Sequence, residues 1–152
     1  MRRVFLDTNI LLDFALGREH ADDAEKVLAL GLVGAIEVCA SYLSYANMGF
    51  ILRHHPKDEI YSLIGLMREV VLVLPTDRLQ LDKGLALYSD DIEDALQYEC
   101  AKAAGCDVII TNNGKDYADF STLPYMTAAE FLSEWNNYYY YRIDEHSVRP
   151  VR

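Results

Sequence analysis

The sequence alternates short apolar runs, rich in β-forming residues, with longer segments whose apolar residues recur every three or four positions. Such alternation is typical of chains in which helices connect parallel strands through right-handed crossovers. The first run places Val4, Phe5 and Leu6 in succession, as expected for a strand covered by helices on both faces. The pattern therefore predicts a three-layer α/β/α sandwich with a central parallel sheet of four to five strands.

Glycines, prolines and polar pairs separate the segments and give their expected boundaries. Strands are expected at 3–7, 36–40, 70–74 and 108–111, with a short strand near 124–126. Helices are expected at 10–16, 22–32, 42–53, 57–68, 77–88, 91–104 and 127–135. We assign residues 1–135 to one domain and residues 136–152 to a tyrosine-rich C-terminal tail. The tyrosines at 138–141 are expected to pack on the domain, the alternative being a platform for bases or a partner.

The charge balance limits how the chain can meet a nucleic acid. Twenty-four acidic residues against 14 basic residues give a formal net charge of −10. Such a surface repels phosphate groups, which disfavours binding through basic patches alone. A cluster of carboxylates can instead hold a cation, and the cation can then meet the phosphate.

The sequence also indicates a compartment. No apolar run approaches the roughly 18 residues that span a bilayer, and the first residues lack the apolar core of a signal peptide, so no membrane partner is expected. The cysteines, Cys39, Cys100 and Cys106, have no paired spacing, which argues against a disulfide scaffold and fits a reducing cytoplasm. We expect them to be small core residues rather than zinc ligands.

Polar side chains follow two of the predicted strands at the edge where parallel sheets place their functional crevice. The first strand ends in Asp7, and the fourth ends in Thr111, followed by Asn113 and Asp116. The helix that leads into the fourth strand begins with a run of acids that includes Asp94. A right-handed crossover brings the start of that helix to the same edge. We therefore expect these side chains to lie close together.

Converging carboxylates repel each other, by roughly 4 kcal/mol for two charges about 4 Å apart at an effective dielectric constant near 20. Such a cluster stays ionised when a cation lies among its members, and oxygen ligands suit Mg²⁺ or Mn²⁺. This arrangement serves phosphodiester hydrolysis best. Each residue also has a purely structural interpretation: Asp7 as a helix cap, Asp91 with Asp94 as a capping box, and Asp116 as a solvated loop charge.

Two blocks of the sequence resemble the PIN domain nucleases, including VapC-type toxins. The first block extends from Val4 to Asp13 and the second contains the segments from Ile92 to Leu96 and from Cys106 to Tyr117. Their order and spacing are similar to the family from position 3 to about position 134. The resemblance implies a PIN fold with an acidic site that binds Mg²⁺ or Mn²⁺ and cleaves single-stranded RNA. It further implies a toxin restrained by a small antitoxin protein, and a chain able to form a homodimer.

The resemblance also assigns roles by position. Asp7 and Asp94 correspond to the first and third metal-binding acids. Asn113 occupies the last acidic or amide position of the Thr-x-Asn pattern that starts at Thr111, and Asp116 lies close by as a helper or substitute. Asn9 would orient the Asp7 carboxylate. The predicted catalytic residues are Asp7, Asp94 and Asp116. The same acids and Asn113 are the predicted metal ligands, and Asn9 and Thr111 are expected to support them.

One position departs from the family pattern. Asn47 stands where a Ser-x-x-Thr-x-x-Glu motif usually places a glutamate, and an amide oxygen ligates a metal without contributing charge. The resemblance therefore implies a subgroup with asparagine in place of the second acid. It leaves open a PIN-fold module that binds a protein partner or RNA with weak catalysis. A phosphatase of the haloacid dehalogenase type ranks last, because it expects a second aspartate where Asn9 stands.

Overall fold

A computed structural model of the chain describes the backbone of residues 1–146 and the side chains of residues 1–138. Its strands are β1 (Arg3–Leu6), β2 (Glu37–Ser41), β3 (Leu72–Leu74), β4 (Val108–Ile110) and β5 (Tyr125–Met126). Its helices are α1 (Thr8–Leu16), α2 (Ala21–Leu32), α3 (Tyr42–Ile51), α4 (Lys57–Val70), α5 (Arg78–Leu87), α6 (Ile92–Ala103), α7 (Gly114–Tyr117) and α8 (Ala128–His146).

The strands form one five-stranded sheet in the order β3-β2-β1-β4-β5, and every neighbouring pair is parallel. Phe5 at the centre of β1 is in register with Cys39 of β2 on one side and with Ile109 of β4 on the other. Each face of the sheet has its own core of buried side chains. The predicted three-layer α/β/α sandwich with a parallel sheet is therefore confirmed.

The two cores follow from the alternation of side chains along β1. Val4 and Leu6 belong to the larger core, whose partners include residues of α1, α2, α3, α4 and α8. Phe5 faces the opposite way, into a core with Tyr98 and Ile109. Val4, Phe5 and Leu6 are all fully buried, as expected for a strand covered on both faces. The cysteines are free and buried, which confirms that they are core residues.

Two parts of the helical structure differ from the sequence prediction. The last helix was expected to end near Trp135 and instead continues to His146, because no glycine or proline interrupts the segment. The short helix α7 was not predicted, since four residues are too few to show a helical period. The division into residues 1–135 and 136–152 stays a prediction. The side chains of tyrosines 139–141 and all of residues 147–152 lie outside the described residues.

The order of the strands places the candidate site. From β1 the chain passes through α1 and α2 to β2, which pairs with one edge of β1. The strand β4, which the chain enters after α5 and α6, pairs with the other edge of β1. The carboxyl ends of β1 and β4 therefore form the switch point at which parallel sheets open a crevice. Among the helices of the described residues, none is both long and apolar enough to cross a membrane.

Candidate functional site

Asp7 follows β1 directly and lies between β1 and β4. Its backbone N–H donates to the carbonyl of Ile110 at 3.0 Å, and the Thr111 hydroxyl donates to its Oδ2 at 2.8 Å. Asp7 occupies the N-cap position of α1, but its side chain makes no capping hydrogen bond. The side chain is only 2% exposed, and this burial raises the pKa of Asp7 to about 6, against the opposing hydrogen bond from Thr111.

Asp94 lies in the first turn of α6 and is also buried, with 7% exposure. The cap of this helix is made by Asp91, whose Oδ1 accepts from the backbone N–H groups of Glu93 at 2.9 Å and Asp94 at 3.2 Å. The Asp94 side chain instead accepts a hydrogen bond of 3.4 Å from the Tyr117 hydroxyl. Burial, followed by the negative charge of Asp7, raises the pKa of Asp94 to about 7.

Asp7 and Asp94 line a single pocket of about 320 Å³, which we call the acidic pocket. It lies at the carboxyl edge of the sheet, between the start of α1, the helix α3 and the start of α6. The side chains that form its wall are Asp7, Thr8, Asn9, Leu12, Asn47, Phe50, Ile51, Asp91, Glu93, Asp94 and Asn113.

Most residues predicted from the sequence meet at this pocket. Asp7, Asn9, Asn47, Asp94 and Asn113 all line it, and the buried Thr111 holds Asp7 from the β4 side. Asp116 is placed differently: it lines a neighbouring pocket of about 490 Å³. Its charge still contributes to the raised pKa of Asp94, so the two carboxylates are electrostatically close.

Glu93 is a wall residue that the sequence reasoning did not single out. The Asn47 amide Nδ2 donates to Glu93 Oε1 at 2.6 Å, joining α3 to the start of α6. The sequence contained a weak signal, because Glu93 stands beside Asp94 in an acidic run. Acids at a helix start have an ordinary explanation in the helix dipole, so the signal alone did not point to a site.

A buried network of hydroxyl and amide groups joins the elements around the pocket. Gln97 of α6 donates from Nε2 to the Thr8 hydroxyl at 3.1 Å and to the Ser44 hydroxyl at 3.0 Å. Thr8 donates to Ser44 at 2.9 Å, and the Ser41 hydroxyl donates to the Gln97 carbonyl oxygen. The network ties α1, the start of α3 and α6 together, and thus holds the segments that carry Asp7, Asn47 and Asp94.

The segment after β4 is held by two contacts. The Thr111 hydroxyl accepts from the Asn113 backbone N–H at 3.0 Å, so the same hydroxyl serves both Asp7 and Asn113. The Asn112 amide Nδ2 donates to Oδ2 of the buried Asp13 in α1 at 2.6 Å. These contacts fix the backbone that presents Asn113 at the pocket.

The chemistry of the pocket fits a hard divalent cation. No ion pair within the part of the chain that the structure describes involves Asp7, Asp94 or Glu93. The wall offers carboxylate and amide oxygens, the donors that Mg²⁺ and Mn²⁺ prefer. Within the described residues, no three His, Cys, Asp or Glu side chains are grouped so that they could hold one metal ion. Amide oxygens and water molecules would therefore have to complete the coordination shell of a bound ion.

Comparisons with known proteins agree with this architecture. The family model described as PIN domain matches residues 3–115. The chain is 24% identical over 140 residues to Ribonuclease VapC1 of Aquifex aeolicus (strain VF5), covering 88% of this chain and 96% of that protein. VapBC2 from Rickettsia felis, solved with a DNA fragment from their promoter, has a TM-score of 0.68 at 17% identity, over 82% of this chain and 98% of that chain. A toxin–antitoxin complex from Klebsiella pneumoniae has a TM-score of 0.61 at 19% identity, over 82% and 97% of the respective chains.

Proposed function

Because this chain belongs to the PIN domain family, we propose that it is a metal-dependent endoribonuclease that hydrolyses phosphodiester bonds of single-stranded RNA. The observation that carries the proposal is the pair of buried carboxylates, Asp7 and Asp94, which face one pocket without a cationic partner among the described side chains. A divalent cation between two buried carboxylic acids favours their ionised form. The family relationship and the similarity to Ribonuclease VapC1 support RNA as the substrate.

In this proposal Asp7 and Asp94 would hold Mg²⁺ or Mn²⁺, with Asn113 and Asn47 as amide ligands. When bound, the ion supplies the Lewis acidity that activates a water and neutralises phosphate charge. Thr111 keeps the Asp7 carboxylate in place through its hydrogen bond.

Two further predicted residues surround this set. Asn9 lies beside Asp7 in the wall of the pocket and would orient its carboxylate. Asp116 would assist as a neighbouring acid, because it lines the adjoining pocket and its negative charge contributes to the raised pKa of Asp94. Its part in metal binding and catalysis stays a prediction.

The chain would act as the toxin of a toxin–antitoxin pair. Similarity to a ribonuclease of the VapC type and to a toxin–antitoxin complex supports a small antitoxin protein as its partner. Buried free thiols fit a reducing compartment, so we place the pair in the cytoplasm. Self-association into a homodimer is part of the same proposal, and Asn47 would mark a PIN subgroup with an asparagine at the second acidic position.

The proposal is tested by cleavage of an end-labelled single-stranded RNA in the presence of Mn²⁺. Wild type is expected to cleave, and Asp94→Asn to lose cleavage while keeping an equal or higher melting temperature, since it removes a buried charge. Asp58→Asn, which neutralises an exposed acid in the first turn of α4, serves as the matched control and should cleave like wild type. Unchanged cleavage by Asp94→Asn would refute the assignment.

A second candidate function is a PIN-fold module that binds a protein partner or RNA with weak catalysis. Asn47 favours it, because the pocket has a neutral amide at a position where the family usually has an acid. A folded wild type that neither binds Mn²⁺ at millimolar concentration nor cleaves RNA would select this module. The phosphatase interpretation is set aside, because the match to the PIN domain accounts for the aspartate after β1.

A further inference from the structure

One part of the wall of the acidic pocket is apolar and open to solvent. Phe50 lies in the last turn of α3 and lines the pocket, although it is 65% exposed. Side chains three and four positions apart share one face of a helix, so Phe50 and Ile51 extend the face of α3 that carries Asn47. Ile51 is also exposed and lines the same pocket. An accessible aromatic ring thus shares a pocket with the buried carboxylates of Asp7 and Asp94.

A cation lies over the ring of Phe50. The guanidinium carbon of Arg53 is 4.0 Å from the centre of the ring, which is within the range of a cation–π contact. The Nη1 of Arg53 also donates to the backbone carbonyl of Phe50 at 2.7 Å. Two contacts therefore hold the guanidinium next to the acidic pocket.

Arg53 has no acidic partner among the described side chains, although the chain has 24 acidic residues against 14 basic ones. Its bond to the Phe50 carbonyl uses one of the five N–H donors of a guanidinium. Arg53 is exposed, so the other donors are accessible to an anion from solution. The fork of a guanidinium matches the oxygen atoms of a phosphate group. An aromatic ring and a phosphate-binding group are therefore adjacent at this pocket.

We propose that Phe50 and Arg53 form a nucleotide subsite, in which one base of single-stranded RNA stacks on the Phe50 ring and Arg53 binds the phosphate next to that base. The inference rests on the proposed nuclease function and adds a substrate contact to the same pocket. Every base has a flat face that can stack on an aromatic side chain, so the subsite accepts unpaired RNA without selecting a sequence. Bases inside a duplex are covered by their neighbours, so the subsite favours single strands.

Charge and size favour RNA over a protein segment as the occupant. The acids of the pocket repel a phosphate backbone, whereas Arg53 provides a positive charge on the α3 side of the pocket. The volume of about 320 Å³ is at the lower end of the range of small-molecule sites, roughly 300–1,000 Å³. A pocket of this size takes one nucleotide, whereas a helix of a partner protein, about 10–12 Å across with its side chains, needs a longer groove.

Each of the two residues also has an ordinary explanation. Single exposed apolar side chains are common on protein surfaces, and basic side chains often bind the last carbonyls of a helix. Tyr61 of α4 is such an ordinary case: it is exposed and has the Lys57 ammonium 5.8 Å from its ring centre, but it does not line the acidic pocket. Phe50 differs because it belongs to the wall of a pocket that contains two buried carboxylates.

The test is single-turnover cleavage of an end-labelled single-stranded RNA by the full chain in Mn²⁺. The protein concentration that gives half the maximal rate reports RNA affinity, and the maximal rate reports the chemical step. Phe50→Leu keeps an apolar side chain but removes the ring, so the half-saturating concentration should rise roughly fivefold to a hundredfold. The maximal rate should change less than about threefold, because the stacking contact is made before and during the reaction alike.

Two further variants are the controls of this measurement. Phe50→Tyr keeps an aromatic ring and should stay within about threefold of wild type. Tyr61→Leu removes an exposed ring that does not line the acidic pocket, and it should change the half-saturating concentration less than about twofold. Thermal unfolding of each variant verifies that it is folded.

An RNA that lacks one base tests the stacking contact from the side of the substrate. Abasic nucleotides are introduced one at a time around the mapped cleavage site. At one position the missing base should weaken binding to wild type by about the same factor as Phe50→Leu weakens binding of intact RNA. The same missing base should cost Phe50→Leu less than about twofold, because the ring it would contact is already absent.

The phosphate contact of Arg53 is tested by the salt dependence of the half-saturating protein concentration at constant Mn²⁺. Removal of one cation that neutralises a phosphate of a single strand lowers the slope of log affinity against log salt by about 0.7, and we expect this change in Arg53→Gln. Arg68→Gln is the matched control, because it removes an exposed arginine of α4 that pairs with Glu69 and does not line the acidic pocket. It should leave the slope unchanged.

Each outcome has a defined meaning. Equal half-saturating concentrations of Phe50→Leu and Tyr61→Leu, with a wild type that cleaves RNA in Mn²⁺, would overturn the subsite, leave the proposed function intact and free this surface for a protein partner. Equal losses in Phe50→Leu and Phe50→Tyr would assign the effect to packing and also overturn it, as would equal salt slopes of the two arginine variants. A folded wild type that does not cleave RNA would overturn the proposed function and this inference together.

Discussion

The side chains of Asp7 and Asp94 lie in surroundings that favour the protonated, neutral form of a carboxylic acid. Burial is the main cause for both, and the pKa of Asp7 rises to about 6 and that of Asp94 to about 7. Both residues were predicted from the rule that functional groups follow the carboxyl ends of parallel strands. The contact between Asn47 and Glu93 could not be predicted in the same way, because only the packing of α3 against the start of α6 creates it.

The raised pKa of Asp7 predicts how stability depends on pH in metal-free protein. Folded Asp7 binds its proton more tightly than the unfolded chain, so the free energy of unfolding falls as pH rises from about 4 to about 6. The loss amounts to roughly 3 kcal/mol. Asp7→Asn lacks this loss and keeps an oxygen for the hydrogen bond from Thr111, so it should be more stable than wild type near neutral pH and similar near pH 4.

Urea denaturation in EDTA across this pH range measures the difference between wild type and Asp7→Asn. A difference that grows with pH in favour of the variant agrees with the account. A variant that is less stable than wild type near neutral pH would show that the buried carboxylate is stabilised by contacts other than those described.

Thr111 provides a second prediction for a single residue. Its hydroxyl donates to Asp7 and accepts from the Asn113 backbone, so Thr111→Val removes both contacts while nearly keeping the shape of the side chain. We expect a cost of about 1–3 kcal/mol in unfolding free energy from the unpaired groups. Cleavage should fall roughly tenfold to a hundredfold, as for other groups that orient metal ligands. Thr111→Ser, which keeps the hydroxyl, should retain most activity; equal losses in both variants would assign the effect to packing.

At the scale of elements, sequence patterns located the strands and most helices within a few residues. The exceptions have physical reasons. The helix α7 is too short to show a helical period. The helix α8 continues past Trp135 because the polar and aromatic residues that follow can extend a helix, although their helix propensity is too low to predict one. The run of valines and leucines at 70–74 was expected to be one strand, but Val70 ends α4 and β3 begins at Leu72. A short apolar run fits either element, so its division depends on tertiary packing.

The network around Gln97 is the element-scale feature that the sequence could not reveal. Gln97→Leu removes the amide that joins Thr8, Ser41 and Ser44, leaving buried hydroxyls with fewer partners. We expect a loss of about 2–4 kcal/mol in unfolding free energy, measured by urea denaturation. In a double-mutant cycle with Thr8→Val the losses should be less than additive by at least about 0.5 kcal/mol. Strict additivity would show that the two residues act independently.

At the scale of the whole molecule, the alternation of elements determined the parallel sheet, and the sheet determined where the acids meet. The switch point between β1 and β4 brings together residues that are more than 100 positions apart, such as Asp7 and Thr111. The net charge of −10 agrees with the proposed function, in which the phosphate of the substrate would meet the protein through a bound cation rather than through a basic surface. The central claim is therefore that cleavage depends on the divalent ion.

The most direct measurement of that claim is the cleavage of end-labelled single-stranded RNA by wild type before and after removal of divalent ions. We predict cleavage in Mn²⁺, loss of cleavage in EDTA, and recovery when Mn²⁺ is added in excess over EDTA, with the Asp94→Asn variant inactive throughout. Cleavage by wild type that continues undiminished in EDTA, or a folded wild type that leaves the RNA intact in Mn²⁺, would contradict the account.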